Sequence, residues 1–317
     1  MLAMKASLWK LQIIPLHHKT LVTGILIKGN PKVQSEEDKR FSTLKKVLGT
    51  YFHKPLKNVR LCLQYKELYC EAISGKNGEF KAELNGKVSE DISIHIKDDP
   101  QELTLLQNYP VRFNSMDEKY FVITDIDDTI LQSFAKNYIK KLSRLLFLPP
   151  VKRKRIEASH EAFSHLSEQH FQFFYLSRSE YNLFHLITTF LIENNFPLGP
   201  VFLRRFTRWK KVLSTKHKKQ FKYQVLDEIF EDHKSNKILF FGDDSQYDLD
   251  IFDHFERKFP NSVLGIFIHR TNGRFGKKEI EWKKDIQNRL KNVHFYSSFE
   301  EVLTPLNLIL DEITDRS

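Results

Sequence analysis

The sequence predicts an α/β fold built on a parallel sheet, preceded by a small antiparallel β-sandwich domain. Three observations lead there. From about residue 116 onward, continuous apolar runs such as YFVIT, FQFFYL, KILFF and VLGIFI alternate with amphipathic stretches. Strands apolar on both faces and separated by helices belong to a parallel sheet covered on both sides. Before that point the chain instead carries short β-forming segments with period-two alternation and turn signals between them. Finally, 317 residues suffice for two domains of roughly 100–200 residues each. The boundaries read from the change of pattern are 1–115 for the β-rich domain and 116–317 for the α/β domain.

In the first domain, VRLCLQ (59–64), a turn at Lys66–Glu67 and LYCEAIS (68–74) predict a hairpin. Asn77–Gly78 predicts a turn before Phe80, Ala82 and Leu84, which alternate with polar residues, and DISIHI (91–96) alternates likewise. EEDKRFSTLKKVLGTYF (36–52) has helical apolar spacing instead and reads as an insertion. In the second domain, strands at 120–124, 171–176, 237–241 and 263–268 are separated by helices around 132–147, 181–195, 221–233 and 247–259.

The composition, 41% hydrophobic and 28% charged, is that of a globular chain able to bury a core. No apolar run approaches the roughly 18 residues that span a bilayer, and the first residues lack a signal-peptide pattern, so a cytoplasmic protein is expected. Cys62 and Cys70 fit a reducing compartment, although their spacing across a hairpin makes a cross-strand pair conceivable. The net charge of +10 calls for an anionic partner: nucleic acid, an anionic membrane face or phosphorylated substrates. Much of the excess lies in 204–222, RRFTRWKKVLSTKHKKQFK, which contains no acid.

Ligands of open α/β sheets sit at the carboxyl ends of the strands. Polar clusters follow three of the predicted strands directly: DIDDT, SRS and GDDSQYD. Asp125 and Asp127 place two carboxylates two residues apart at a strand end, where buried charge needs compensation, usually from a metal ion. One such carboxylate can attack phosphorus while the other protonates the leaving alcohol and later activates water. An acidic helix cap has the same sequence. Asp243 and Asp248 are spaced so that one can hold a metal from a strand end and the other from a helix start, and hard carboxylate oxygens suit Mg²⁺. Ser177 can offer a hydroxyl and an N–H to a phosphoryl oxygen, although Ser179 fits the same description and a helix cap is the plainer role for either. Among several lysines, Lys222 is the one that Leu226 and Ile229 follow at +4 and +7 on a core face, so it can neutralise a phosphate and its nucleophile.

This ordered set, DxDxT, Ser, Lys and GDxxxxD, resembles the haloacid dehalogenase-like superfamily of aspartyl-phosphate enzymes. DIDDTI, FFYLSRSEYNLFHLI, FPLGPVFLR, FKYQVLDEI, GDDSQYDLDIF and IFIHR together resemble the catalytic domain of actin-patch-type phosphatidate phosphatases and their bacterial relatives. The resemblance implies a Rossmann-like core, with Asp125 as nucleophile, Asp127 as acid/base, and Ser177 and Lys222 binding phosphate. It implies Mg²⁺ held by Asp125, Asp243 and the main-chain carbonyl of Asp127, with Asp248 in support. The chain departs from that family at Arg178, Glu180, Arg205 and the Asp244–Ser245 pair.

The expected function is a phosphomonoesterase acting on a lipid phosphate such as phosphatidate, with the enzyme peripheral to an anionic membrane. Arg205, Arg208, Lys210 and Lys211 would form the anchoring patch, each contributing about 1 kcal/mol near such a surface. A soluble phosphate or a nucleic-acid end is the alternative substrate, and a non-catalytic module for anionic partners is the alternative class. No nucleic-acid motif is present, and Phe206, Trp209, Phe221 and Tyr223 suit a membrane interface at least as well.

Overall fold

The computed structural model of the chain describes residues 6–29, 54–99, 103–113, 119–132, 154–204, 215–230, 236–244, 246–271, 277–290 and 292–315. Among these, the chain divides into two compact units, the first comprising residues up to 113 together with Asn182–Thr189 and the second the remainder.

The first unit holds two sheets. One has the order β5-β2-β1-β7, from β1 (Ala6–Pro15), β2 (Lys19–Lys28), β5 (Glu79–Asn85) and β7 (Thr104–Leu105). The other has the order β4-β3-β6, from β3 (Arg60–Tyr65), β4 (Leu68–Ile73) and β6 (Ser93–Ile96). Every pairing is antiparallel except the short parallel contact of β7 with β1. Leu8, Val22 and Phe80 from the first sheet and Leu61, Leu63 and Ile94 from the second share one apolar core. The expected hairpin turns fall where the sequence places them, with Lys66 and Gly78 at positive φ. β1 and β2, the two longest strands, carry no clean alternation because β1 is buried along nearly its whole length and β2 along most of it. The helix expected over 36–52 lies outside the described residues.

Both cysteines are free. The hairpin register pairs Cys70 with Leu63 and Cys62 with Glu71, so the two thiols point to opposite faces of the sheet. A cross-strand disulfide is thereby excluded at this register.

In the second unit, six parallel strands run in the order β10-β9-β8-β11-β12-β13. They are β8 (Tyr120–Thr124), β9 (Gln172–Glu180), β10 (Val201–Arg204), β11 (Lys237–Asp243), β12 (Val263–His269) and β13 (Val293–Tyr296). The α-helices among the described residues from here on are α1 (Glu157–Glu168), α2 (Phe184–Glu193, whose residues up to Thr189 count with the first unit), α3 (Thr215–Phe230), α4 (Gln246–Lys258), α5 (Lys277–Arg289) and α6 (Phe299–Thr314). The sheet is covered on both faces, and phenylalanines set the layers. Phe121 and Phe240 meet Phe230 of α3 and Phe252 and Phe255 of α4 on one face. Phe173 and Phe241 meet Phe163 of α1 on the other. Continuous apolar strands are the consequence of this double coverage.

The strand order reverses at β8, which lies between β9 and β11. A crevice forms at such a switch point, at the carboxyl ends of the strands. β9 continues through Ser177, Arg178, Ser179 and Glu180 rather than ending at residue 176, so these four side chains project along the crevice edge. Neither serine is therefore a helix cap.

Gly242 fixes how closely α4 approaches that crevice. A Cβ there would lie 2.8 Å from the Phe252 ring and 3.0 Å from the Asp248 Cβ. Gly242→Ala is expected to lower stability by about 1–3 kcal/mol through overpacking. Urea unfolding should show the loss as an earlier midpoint at unchanged slope, and an unchanged midpoint would mean that α4 has slack.

Candidate active site

β8 delivers Asp125 to the switch point, and the Asp125 N–H donates to the Phe241 carbonyl at 2.9 Å, extending the β8–β11 ladder by one residue. The chain then closes a tight turn. Ile130 and Leu131 N–H groups both donate to the Ile126 carbonyl, and Asp128 adopts φ +59°. Asp can occupy this left-handed region at modest cost. Three elements pin the turn from outside. His269 at the end of β12 donates Nδ1–H to the Asp128 carbonyl at 2.7 Å. Ser159 of α1 donates to the Thr129 carbonyl at 2.6 Å, and Tyr296 of β13 donates its hydroxyl to Ser159 at 2.8 Å.

At the centre, Asp125 is 3% exposed and Lys222 is 2% exposed. The Lys222 ammonium donates to Asp125 Oδ1 at 2.8 Å and to Asp248 Oδ1 at 2.7 Å. Leu226 and Ile229 of the same helix are buried, which orients Lys222 toward the sheet. Asp248, in the first turn of α4, also accepts the Asp243 N–H at 3.4 Å. Asp125 Oδ2 is buried without a hydrogen-bond partner.

Asp127 receives both serines of the β9 edge. Ser177 Oγ and Ser179 Oγ donate to Asp127 Oδ2 at 3.2 and 3.1 Å, and the Ser179 N–H donates to Ser177 Oγ at 3.0 Å. Ser177 here orients the second carboxyl group, a role its sequence position alone did not specify. Arg178, between the two serines, feels the charges of Asp248, Asp125, Asp243 and Asp127, which together hold its guanidinium firmly protonated against the cost of burial. Its motif position was visible as a departure, but its service to all four carboxylates was not. Asp244 turns away, accepting from the Thr271 N–H at 3.2 Å and from the Thr271 hydroxyl. Arg205, Arg208, Lys210 and Lys211 lie outside the described residues. A groove of about 470 Å³ lined by Lys119, Tyr120, Lys237, His294 and Leu308 opens at the amino ends of the strands and contains none of the site carboxylates.

The electrostatics follow from burial. Desolvation first, and then the neighbouring Asp248 and Asp127 charges, push the Asp125 carboxyl up to about 6, with Lys222 opposing. Burial would push Asp248 the same way, but Lys222, Arg178 and the Asp243 N–H hold it below the ordinary carboxylate range. Burial also penalises the Lys222 ammonium, yet Asp125 and Asp248 keep it above its usual value.

Whether these residues fit a divalent cation can be judged from the donors. Among the described residues, no group of three or more His, Cys, Asp and Glu side chains stands ready to hold a metal ion. Mg²⁺ does not require such a cage, since it keeps several waters and uses one or two carboxylates. Among the described residues, four carboxylates (Asp125, Asp127, Asp243 and Asp248) face two cations, Lys222 and Arg178, which leaves a deficit of positive charge there. That deficit and the unpartnered Asp125 Oδ2 fit a hard divalent ion.

Residues 120–270 match the family model for the catalytic domain of phosphatidate phosphatase APP1. The resemblance is to a phosphatase. The span runs from the start of β8 to just past β12 and includes Asp125, Asp127, Ser177, Arg178, Ser179, Lys222, Asp243 and Asp248. The Saccharomyces cerevisiae protein of that name is 28% identical over 149 residues, covering 46% of this chain and 25% of its own length. An uncharacterized protein of Schizosaccharomyces pombe is 25% identical over 148 residues, covering 46% of this chain and 24% of its own length. The chain thus spans about a quarter of the curated relatives it matches. The family resemblance carried by the motifs is borne out, and it supports a phosphatase.

Removing one partner of a buried ion pair leaves an uncompensated charge and costs about 3–5 kcal/mol. Lys222→Met should therefore destabilise by that order. Adding Asp125→Asn should recover part of the loss, because one buried carboxylate is then gone. Urea unfolding of the two single variants and the double variant tests this. Strict additivity would mean that Lys222 and Asp125 are not energetically coupled.

Proposed function

We propose that this chain is a Mg²⁺-dependent phosphomonoesterase with a haloacid dehalogenase-type core, working through an aspartyl-phosphate on Asp125. One observation supports this above the others. Asp125 is a buried carboxylate with one oxygen held by Lys222 and the other unpartnered, at the switch point of a segment similar to a phosphatase catalytic domain.

In this reading an Asp125 oxygen attacks phosphorus as the bond from phosphorus to the ester oxygen breaks. Asp127, entering as the acid, gives its proton to the departing oxygen. The Asp127 carboxylate then takes a proton from water as that water attacks the phosphoryl group, releasing inorganic phosphate and restoring Asp125. The Ser177 and Ser179 hydroxyls fix the Asp127 carboxyl through Oδ2 for both transfers. Lys222 compensates Asp125 before attack and the phosphoryl oxygens afterwards. Mg²⁺, held by Asp125, Asp243 and the Asp127 carbonyl with Asp248 behind them, would supply the missing positive charge and orient the phosphoryl oxygens.

Asp125→Asn should lower Mg²⁺-dependent phosphate release by on the order of 10⁴ or more. Attack requires ionised Asp125, so wild-type turnover should fall as pH drops through about 6 at limiting Mg²⁺. Because the cation favours the ionised carboxylate, that midpoint should move down as Mg²⁺ is raised. A retained few per cent of activity in the Asn variant would reject Asp125 as nucleophile. A midpoint indifferent to Mg²⁺ would reject Asp125 as a ligand.

The substrate class we propose is a lipid phosphate such as phosphatidate, reached from the cytoplasmic face of an anionic membrane. The similarity to a phosphatidate phosphatase and the basic 204–222 segment with its aromatic residues support it. No helix among the described residues is long and apolar enough to cross a membrane. Reversing charge at Arg205, Arg208, Lys210 and Lys211 should abolish co-sedimentation with anionic vesicles, and rising salt should weaken the wild type over a screening length of about 10 Å at 0.1 M. Wild-type protein that stays in the supernatant at low salt would leave the phosphatase standing and return the substrate to a soluble or nucleic-acid-end phosphate.

A further inference from the structure

The end of β10 carries a buried cation that the phosphoryl site does not use. Arg204 is 5% exposed, and its Nε and Nη1 groups are buried with no hydrogen-bond partner. Its ion-pair partner Glu180, equally buried, stands 3.8 Å from Nη2. A guanidinium–carboxylate pair built for stability closes to about 2.7–2.9 Å, often bidentately. Buried unpaired donors are costly, and in native proteins each calls for an explanation such as a ligand.

The pleat says where Arg204 points. Phe202 stacks on Phe174, Phe174 packs on Phe121, and Phe121 meets Phe230 of α3. Side chains two residues onward on each strand keep that face. Arg204 therefore shares the α3 face with Asp125, and Lys222 reaches Asp125 from α3 itself. Along the β9 edge the ladder shifts between Leu203, which registers with Ser177, and Arg204, which registers with Glu180; the two extra β9 residues preserve the alternation and leave Arg204 and Glu180 on one face. β10 lies two strands from β8, or about 10 Å at ordinary strand spacing. That separation reaches from a phosphoryl group on Asp125 to a group several bonds away on the same ester.

We propose that Arg204 recognises the leaving group, its unpartnered Nε–H and Nη1–H donating to ester carbonyl oxygens a few bonds from the transferred phosphate. This rests on the phosphatase reading above. Glu180 already meets the guanidinium charge, so the pair offers donors without net charge. A neutral acceptor such as an acyl-ester carbonyl suits it better than a second oxyanion. The assignment makes Arg204 a specificity residue for acylated phosphate monoesters.

The test compares two water-soluble substrates, dibutyryl-glycerol 3-phosphate and its dibutyl ether analogue, which lacks both carbonyls. The wild type should prefer the diester by about tenfold to a hundredfold in kcat/KM, the range for hydrogen bonds to a charged group. Arg204→Met should bring that ratio close to one, and Arg204→Lys, which keeps the charge opposite Glu180, should lower it part of the way. A structural role would slow both substrates together and leave the ratio intact. A wild-type ratio near one, or a ratio unmoved in both variants, would overturn the assignment. If the wild type hydrolyses neither substrate, the lipid-phosphate reading of the site fails by itself. Calorimetric titration with the two corresponding non-hydrolysable phosphonates then reads the same ratio as affinity, where equal binding by the wild type would overturn the role of Arg204.

Discussion

The second unit is organised around a single buried contact, the Lys222 ammonium lodged between Asp125 and Asp248. A lysine with this little exposure exacts a desolvation penalty of several kcal/mol, and only close carboxylates at good geometry can offset it. The contact gathers three segments distant in sequence: the end of β8, the inner face of α3 and the first turn of α4. The packing around it reads as a consequence. Gly242 has no Cβ because α4 must come close enough for Asp248 to reach the ammonium. Leu226 and Ile229 bury the next two turns of α3 and leave Lys222 no direction but the sheet.

One lysine cannot neutralise what surrounds it. Arg178 supplies a second positive charge, and among the described residues the four carboxylates still exceed the two cations. The imbalance is carried by Asp125, whose carboxyl rises to about 6 while that of Asp248 falls. The two acids touch the same ammonium, but Asp248 also accepts the Asp243 N–H, whereas the second oxygen of Asp125 has no partner. The uncompensated charge is thereby concentrated on the carboxylate that the proposed chemistry would use as nucleophile.

Much of the parallel sheet was legible in the sequence because double burial writes itself as unbroken apolar runs. YFVIT coincides with β8, and KILFF and VLGIFI seed β11 and β12. The short strands β10 and β13 were not singled out, since four residues give no period to read. β1 and β2 escaped for a different reason: their extensive burial removes the polar half of the alternation that marks a strand. Around the site, helical spacing was enough to separate Lys222 from its neighbouring lysines, because only Lys222 is followed by aliphatic residues, Leu226 and Ile229, at both +4 and +7. The donors to Asp127 were harder to read. SRS after an apolar run looks like a strand end followed by a cap, and only the continued pairing with β10 shows that it is still strand. The pull of four carboxylates on Arg178 joins residues from two strand ends and a helix start, which no local pattern encodes.

That extra length of β9 assigns each carboxylate its own partners. Period-two alternation sends Ser177 and Ser179 to one face, where both hydroxyls meet Asp127. It sends Arg178 and Glu180 to the other, the face of Asp125, Lys222 and Arg204. Asp125 and Asp127 are themselves separated by the turn that Ile126 closes, so serine hydroxyls bond to one acid and the Lys222 ammonium to the other. Such environments pull the two acids apart in character: hydroxyl donors orient a carboxyl group without demanding its ionisation, whereas an ammonium favours the anion. A slip of one residue in β9 would exchange the two sets, placing the guanidinium on Asp127 and the serines beside Lys222. The pairing of Tyr175 with Val201 and of Leu203 with Ser177 holds the register up to Ser177. The shift beyond it inserts two β9 residues, which preserves the alternation as far as the Glu180–Arg204 pair, so the partners of each acid are set by strand pairing before either side chain meets a ligand.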